Sequence, residues 1–143
     1  MSQPNSGVTG ITVTIAVSDL DAAVALYRDA FDLPEPRRDT SETDHVEVAL
    51  FQFGDSQLHL VAATDDESLI AKEIAEKGEG LHHFGVVVRS VDDTFTALAE
   101  KGVRTLGDAG RPGAFGNTVG FVHPKSMRGA LVELIQPPAE SGS

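Results

Sequence analysis

The feature that most constrains this fold is that the chain repeats itself. Residues 11–17 (ITVTIAV) line up with residues 82–88 (HHFGVVV) about 71 positions later, and residues 57–62 (QLHLVA) with residues 131–136 (LVELIQ) about 74 positions later. Both members of the first pair are short apolar runs rich in β-branched residues, the pattern of a buried strand. A polar turn and an amphipathic segment follow each. Leu20, Ala23, Val24, Tyr27 and Phe31 recur at helical spacing in the first half, and Val91, Phe95 and Leu98 in the second. Ser18 with Asp21, and Ser90 with Asp93, fit the Ser-x-x-acid signal that opens a helix, and Gly102 supplies a stop. Residues 45–53 and 118–123 read as middle strands. Each half is thus a strand, a helix and about three strands. The period is too long for a solenoid unit, so a duplicated domain is the expectation. The first module covers 10–64, a linking helix with Leu69, Ile70 and Ile74 covers 65–79, and the second module covers 80–137. Residues 1–9 and 138–143 read as disordered tails.

An apolar content of 41% in 143 residues is enough for one shared core. Lys and Arg total 11 against 22 Asp and Glu, a net charge of -11. That field disfavours nucleic acid and anionic membrane as partners, and an anionic ligand would need a local basic cluster. With no cysteine, disulfides and thiolate chemistry are excluded. The N-terminus lacks the apolar run of a signal peptide and no stretch is long enough to span a bilayer, so a cytoplasmic protein is expected.

The repeat also selects residues. Its equivalent positions are Thr12 with His83 on the first strands and His59 with Glu133 on the last. Three of these four carry side chains that bind divalent metals, all within apolar strand runs. Buried imidazole and carboxylate must be paired or coordinate something, and together they suit Zn, Mn, Co, Ni or Fe(II). Glu47 shares a strand face with Ala49 and Phe51, where a carboxylate can act as a general base. His82 alternates with His83 and reads as structural, and His45 as exposed. His123, ending a strand before Pro124, suits a ligand mouth or a structural role. Gly110, Pro112, Gly113 and Gly116 suggest a mobile loop near a site.

Three segments, GLHHFG over 80–85, FVHPK over 121–125 and GALVEL over 129–134, resemble the vicinal oxygen chelate superfamily, and most of all its methylmalonyl-CoA epimerase branch. The resemblance covers about residues 11 to 137. It implies an α+β fold of two βαβββ modules forming a cupped eight-stranded mixed sheet around one divalent metal. It places His83 and Glu133 on ligand positions unchanged, and His59 where the branch carries Gln or Glu. Thr12 falls where the family has a His. A hydroxyl is a poor ligand, so a site of His59, His83 and Glu133 is expected, with the Thr12 hydroxyl holding water or substrate. Glu47 falls at the family's proposed base position. The implied activity is epimerisation of an acyl-CoA through α-proton abstraction and a metal-stabilised enolate, with Glu47 and Glu133 catalytic. Lys125 and Arg128, together with His123, would meet the substrate, and Lys72 is a further cation for the CoA phosphates. The resemblance also implies a homodimer. Two other roles in the superfamily use the same cup: a non-haem Fe(II) oxygenase and a metal-free, resistance-type binding protein.

Overall fold

A computed structural model describes residues 7–139. Its elements run β1 (Gly10–Ala16), α1 (Leu20–Phe31), β2 (Arg37–Ser41), β3 (Val46–Phe53), β4 (Ser56–Ala63), α2 (Leu69–Lys77), β5 (Gly80–Val87), α3 (Val91–Glu100), β6 (Thr105–Pro112), β7 (Thr118–Val122) and β8 (Val132–Gln136). The strands make an eight-stranded mixed sheet with three α-helices. Contacts divide the chain into two units: Thr12–His82, and the chain from His83 onward joined by the segment up to Ile11. Strand order is β2-β3-β4-β1 in the first and β5-β8-β7-β6 in the second. Replacing each strand by its repeat equivalent turns one order into the other, so the duplication read from sequence is a duplication of topology.

The first unit is built around α1. Asp19 caps the helix by accepting from the Ala22 amide at 3.0 Å. The start therefore lies one residue beyond the expected Ser18, whose own amide donates to Glu79 Oε2 at 2.7 Å. Leu20 and Val24 of α1 meet Ala49 and Phe51 of β3 and Leu60 and Ala62 of β4. Fully burying an aliphatic or Phe side chain of this kind contributes about 1.5–3 kcal/mol. The second unit is built the same way around α3, capped as expected by Ser90, which accepts from the Asp93 amide at 3.1 Å. Val91 and Phe95 meet Val122 of β7 and Val132 and Leu134 of β8. Gly120 makes that contact close, since a Cβ there would lie 2.5 Å from Phe95 Cζ.

Four local expectations change. The edge strands β2 and β6 carried no readable period, because β2 is the polar RRDTS and β6 contains Gly107, Gly110 and Pro112. The glycine-rich segment is not a free loop: it ends β6 and then makes a single 3-10 turn over Ala114–Gly116. The linking helix starts only at Leu69, after a Ser68 cap. Thr9, placed in a tail, donates from its amide to Val87 O at 2.8 Å. The rest of the expected tails lies mostly outside the described residues. No helix among those residues is long and apolar enough to cross a membrane.

Candidate functional site

In the second unit, strand alternation sorts side chains between the α3 face and the face away from it. Val122, Val132 and Leu134 go to α3. Their alternates Phe121 and Glu133 go to the other face and are register partners across β7 and β8. The parallel pairing of β5 with β8 sets Gly85 beside Glu133, so His83, two residues before Gly85, shares this face. His83 Nε2 lies 2.9 Å from Glu133 Oε1, with the two side chains only 9% and 14% exposed. The imidazole also meets the Phe121 ring edge-on, with centroids 5.4 Å apart. Two sequence-selected residues 50 positions apart are thus brought into direct contact. An imidazole nitrogen and a carboxylate oxygen converging from adjacent strands form a donor pair that borderline divalent ions accept. These residues fit a divalent ion.

The first unit arranges its equivalent positions differently. Leu58, Leu60 and Ala62 pack on the α1 side, so His59 faces away from α1, beside its register partner Leu50. It is 8% exposed. Its Nε2 lies 2.8 Å from Gln57 Oε1, the Gln57 amide donates to Gln52 Oε1 at 3.0 Å, and the Gln52 amide donates to Gly54 O at 2.6 Å. This relay orients the imidazole of His59 along the strand edge of Gln57 and Gln52. Thr12 and Thr14 lie on β1, where the alternate Ile15 packs with the α1 core. They face away from α1 and are 0% and 1% exposed, and neither hydroxyl has a hydrogen-bond partner. All four repeat positions therefore lie on the helix-free face of their own unit.

Glu47 does not. It alternates with Ala49 and Phe51, and both pack under α1. Its register partner is Thr40; Arg38, on the same strand face, reaches Asp21 of α1 at 2.6 Å. With Leu20, Arg38, Asp39, Thr40 and Val48 it lines an open pocket of about 360 Å³. The expected base therefore stands on the opposite sheet face from His59, and β3 offers the His59 face only Val46, Val48, Leu50 and Gln52. The alternation was legible; which face α1 covers was not.

The remaining expected residues lie outside this arrangement. His123 Nδ1 accepts from the Lys125 amide at 3.1 Å and caps a one-turn 3-10 helix. Lys125 and Arg128 are exposed on that turn, and Lys72 is exposed on α2. His45 sits at a positive φ of 56° in the turn before β3. Its Nδ1 lies 2.8 Å from Asp65 and its Nε2 lies 3.5 Å from Glu67. The Asp65 hydrogen bond holds the His45 pKa above its ordinary value, and the same bond, helped by the Glu67 amide, holds Asp65 below the carboxylate range. The ligand atoms of His45, Asp65 and Glu67 lie within 4.8 Å of one another, as an ion-pair cluster on the unit's surface rather than with the repeat positions. Arg111, which sequence did not single out, lies with its guanidinium over the Phe121 ring, 5.7 Å from the centroid.

Residues 12–121 match the model of the glyoxalase/bleomycin resistance protein/dioxygenase superfamily. The chain is 37% identical over 128 residues to the ethylmalonyl-CoA/methylmalonyl-CoA epimerase of Cereibacter sphaeroides, covering 87% of this chain and 94% of that one. Its structure is similar to that of methylmalonyl-CoA epimerase from Mycobacterium tuberculosis, with a TM-score of 0.89 and 30% identity over 96% of this chain and 94% of the other. It is also similar to a methylmalonyl-CoA epimerase in complex with methylmalonyl-CoA and NH4+, with a TM-score of 0.86 and 34% identity over 92% and 96% of the two chains.

Proposed function

Because the chain belongs to the glyoxalase/bleomycin resistance protein/dioxygenase superfamily, among the relatives of methylmalonyl-CoA epimerases, we propose that it is an epimerase-like isomerase of a 2-substituted malonyl-CoA. The observation that carries this is the His83–Glu133 pair, 2.9 Å apart and nearly buried. The α-carbon of such a substrate lies between a thioester and a carboxylate, so its proton is acidic enough for a positioned carboxylate to remove. A divalent ion held by His83 and Glu133 would supply positive charge where the enolate oxygen develops. Imidazole with carboxylate suits Co, Mn, Zn, Ni or Fe(II).

One carboxylate of the chain accounts for removal of the proton. Glu47 stands on the α1 face of the first unit, and we assign it no role in proton transfer. Glu133 is the carboxylate of the second unit's helix-free face, and we assign it removal of the α-proton from one face of the substrate, inversion being completed by a proton from water delivered to the opposite face of the enolate. His83 Nε2 lies 2.9 Å from one Glu133 oxygen, and we assign transfer to the other. The Thr12 hydroxyl, buried and unpaired, is suited to a water or a substrate oxygen, since leaving it unmet costs about 1–3 kcal/mol. Lys125 and Arg128 are the exposed cations proposed for the CoA phosphates, at a turn that the His123 cap orders.

The test is hydrogen exchange. In deuterated water and with divalent metal supplied, the protein should incorporate deuterium at the α-carbon of methylmalonyl-CoA, and Glu133→Gln should abolish this. Absence of exchange in the wild type sinks the activity; exchange at the wild-type rate in Glu133→Gln removes Glu133 from the mechanism.

A further inference from the structure

The helix-free face of the second unit carries a cation as well as the His83–Glu133 pair, and local structure explains why. Strand β6 breaks register with β7 between Leu106 and Arg111. On the near side of Arg111, the Gly110 amide donates to Asp92 Oδ1 at 2.7 Å, anchoring the strand to the start of α3. A Cβ on Gly110 would lie 2.5 Å from Thr118 Cγ2 and 3.2 Å from Val91 Cγ1, so only glycine lets the chain lie this close. Gly113 is tight as well, 2.9 Å from Val119 Cγ1. Gly110 faces α3, so Arg111 must turn to the opposite face. There its guanidinium rests over Phe121, 5.7 Å from the ring centroid, and Phe121 is the ring that His83 meets edge-on at 5.4 Å. One aromatic ring therefore touches both the imidazole of the proposed site and the guanidinium. Phe121 is also the register partner of Glu133.

We infer that Arg111 is a specificity-determining residue that recognises the free carboxylate of a malonyl-type substrate. The inference rests on the proposed function and adds the feature that distinguishes a malonyl thioester from a simple acyl thioester. In a chain of net charge -11, an acyl group carrying a free carboxylate meets repulsion unless a cation stands where it binds. A guanidinium suits this task because its planar fork matches a carboxylate with two parallel hydrogen bonds, and stacking on Phe121 holds the fork in one plane. Arg111 touches substrate rather than moving the proton, so its loss should appear in selectivity before turnover.

The experiment compares the affinity of the full chain for malonyl-CoA and for propionyl-CoA, which lacks the carboxylate, in wild type, Arg111→Gln and Arg111→Lys. Free malonate is titrated alongside. Wild type should prefer malonyl-CoA. Arg111→Gln should lose about 10- to 100-fold in malonyl-CoA affinity with propionyl-CoA binding retained, and Arg111→Lys should fall between. If Arg111→Gln keeps the preference, the inference is overturned and the proposed function stands. If it weakens both thioesters equally, Arg111 does not read the carboxylate and the inference is again overturned. If wild type binds neither thioester, the proposed function fails, and free malonate decides the inference. Malonate affinity lost in Arg111→Gln upholds a carboxylate site, whereas malonate affinity unchanged or absent overturns it.

Discussion

The two units share a topology and differ in what they do with the same face. In the second, the repeat positions on β5 and β8 carry His83 and Glu133 in contact at 2.9 Å, with Phe121 and Arg111 beside them. In the first, the equivalent positions carry Thr12, whose buried hydroxyl has no partner, and His59, oriented by the amides of Gln57 and Gln52. Helices, caps and cores are conserved between the halves, while the polar residues on the helix-free face are not. Duplication supplied two rigid strand pairs of equal geometry. In the proposed function the reacting groups stand on one of them, and the other carries the unpaired Thr12 hydroxyl.

The comparison breaks most readily at its strongest point. Replacing His83 by Ala should lower α-proton exchange by about 100-fold or more, the range seen when positioned proton-transfer groups are lost, and His59→Ala should cost less. The measurement is deuterium incorporation by mass spectrometry, with circular dichroism to show that both variants fold. A greater loss in His59→Ala would move the centre of the chemistry to the first unit.

A second test concerns the orphaned hydroxyls. Thr12→Val and Thr14→Val keep the shape of the side chain and remove a buried polar atom that has no partner. Each should raise stability by about 1 kcal/mol in urea unfolding. Thr12→Val should also weaken thioester binding if that hydroxyl meets substrate, whereas Thr14→Val should not. Loss of stability in either would show that the hydroxyl is satisfied, and this contrast with the second unit would be lost.

How much of this was legible follows from the kind of signal each residue carried. The duplication, the α1 and α3 faces and the pairing of Thr12 with His83 and of His59 with Glu133 came from periodicity, which reports burial directly. Strand alternation put Glu47 with Ala49 and Phe51, but alternation does not say which of two faces a helix will cover, and α1 covers theirs. Arg111 was invisible because β6 has no period across its register break; the signal that could have found it was the pair of glycines at 110 and 113, read instead as a loop. For His123 sequence left a ligand mouth and a structural role open, and it does not show that one ring nitrogen caps the following turn.

A smaller effect is expected at the surface of the first unit. The Asp65 hydrogen bond raises the His45 pKa and lowers that of Asp65. The His45 contribution is full below the unfolded imidazole pKa and is lost as pH rises through the folded value. The Asp65 contribution is present above the unfolded carboxylate pKa and is lost as pH falls through the folded value. The two overlap between about pH 4 and 6.5. Groups facing His45 are Asp44, Asp65 and Glu67, all acidic. The Tm of wild type should exceed that of His45→Asn by a small margin inside this window, with the margin lost as pH rises through the folded His45 value. A margin that does not vary with pH would mean that the ion pair is not what His45 contributes. The second unit has no equivalent cluster among its described residues, so the pH effect should map to the first unit alone.

The smallest expected effect is none, and it decides which face of the sheet does chemistry. Glu47 stands with Thr40 and Arg38 on the α1 side of β2 and β3, where Arg38 already reaches across to Asp21 on the helix. Strand geometry gives a side chain one face or the other, and a change of face needs a one-residue slip of register. Such a slip would carry Ala49 and Phe51 out of the α1 core and set Val48 and Leu50 in their place, undoing contacts that each contribute about 1.5–3 kcal/mol. Glu47 therefore cannot visit the His59 face by a rotamer change. Glu47→Gln keeps the size and polarity of the side chain, so it should fold normally and leave α-proton exchange at the wild-type rate under conditions where Glu133→Gln abolishes it. If Glu47→Gln abolishes exchange in a folded protein with unchanged thioester affinity, the proton passes through the α1 face, and the helix-free face of the second unit is not the catalytic one.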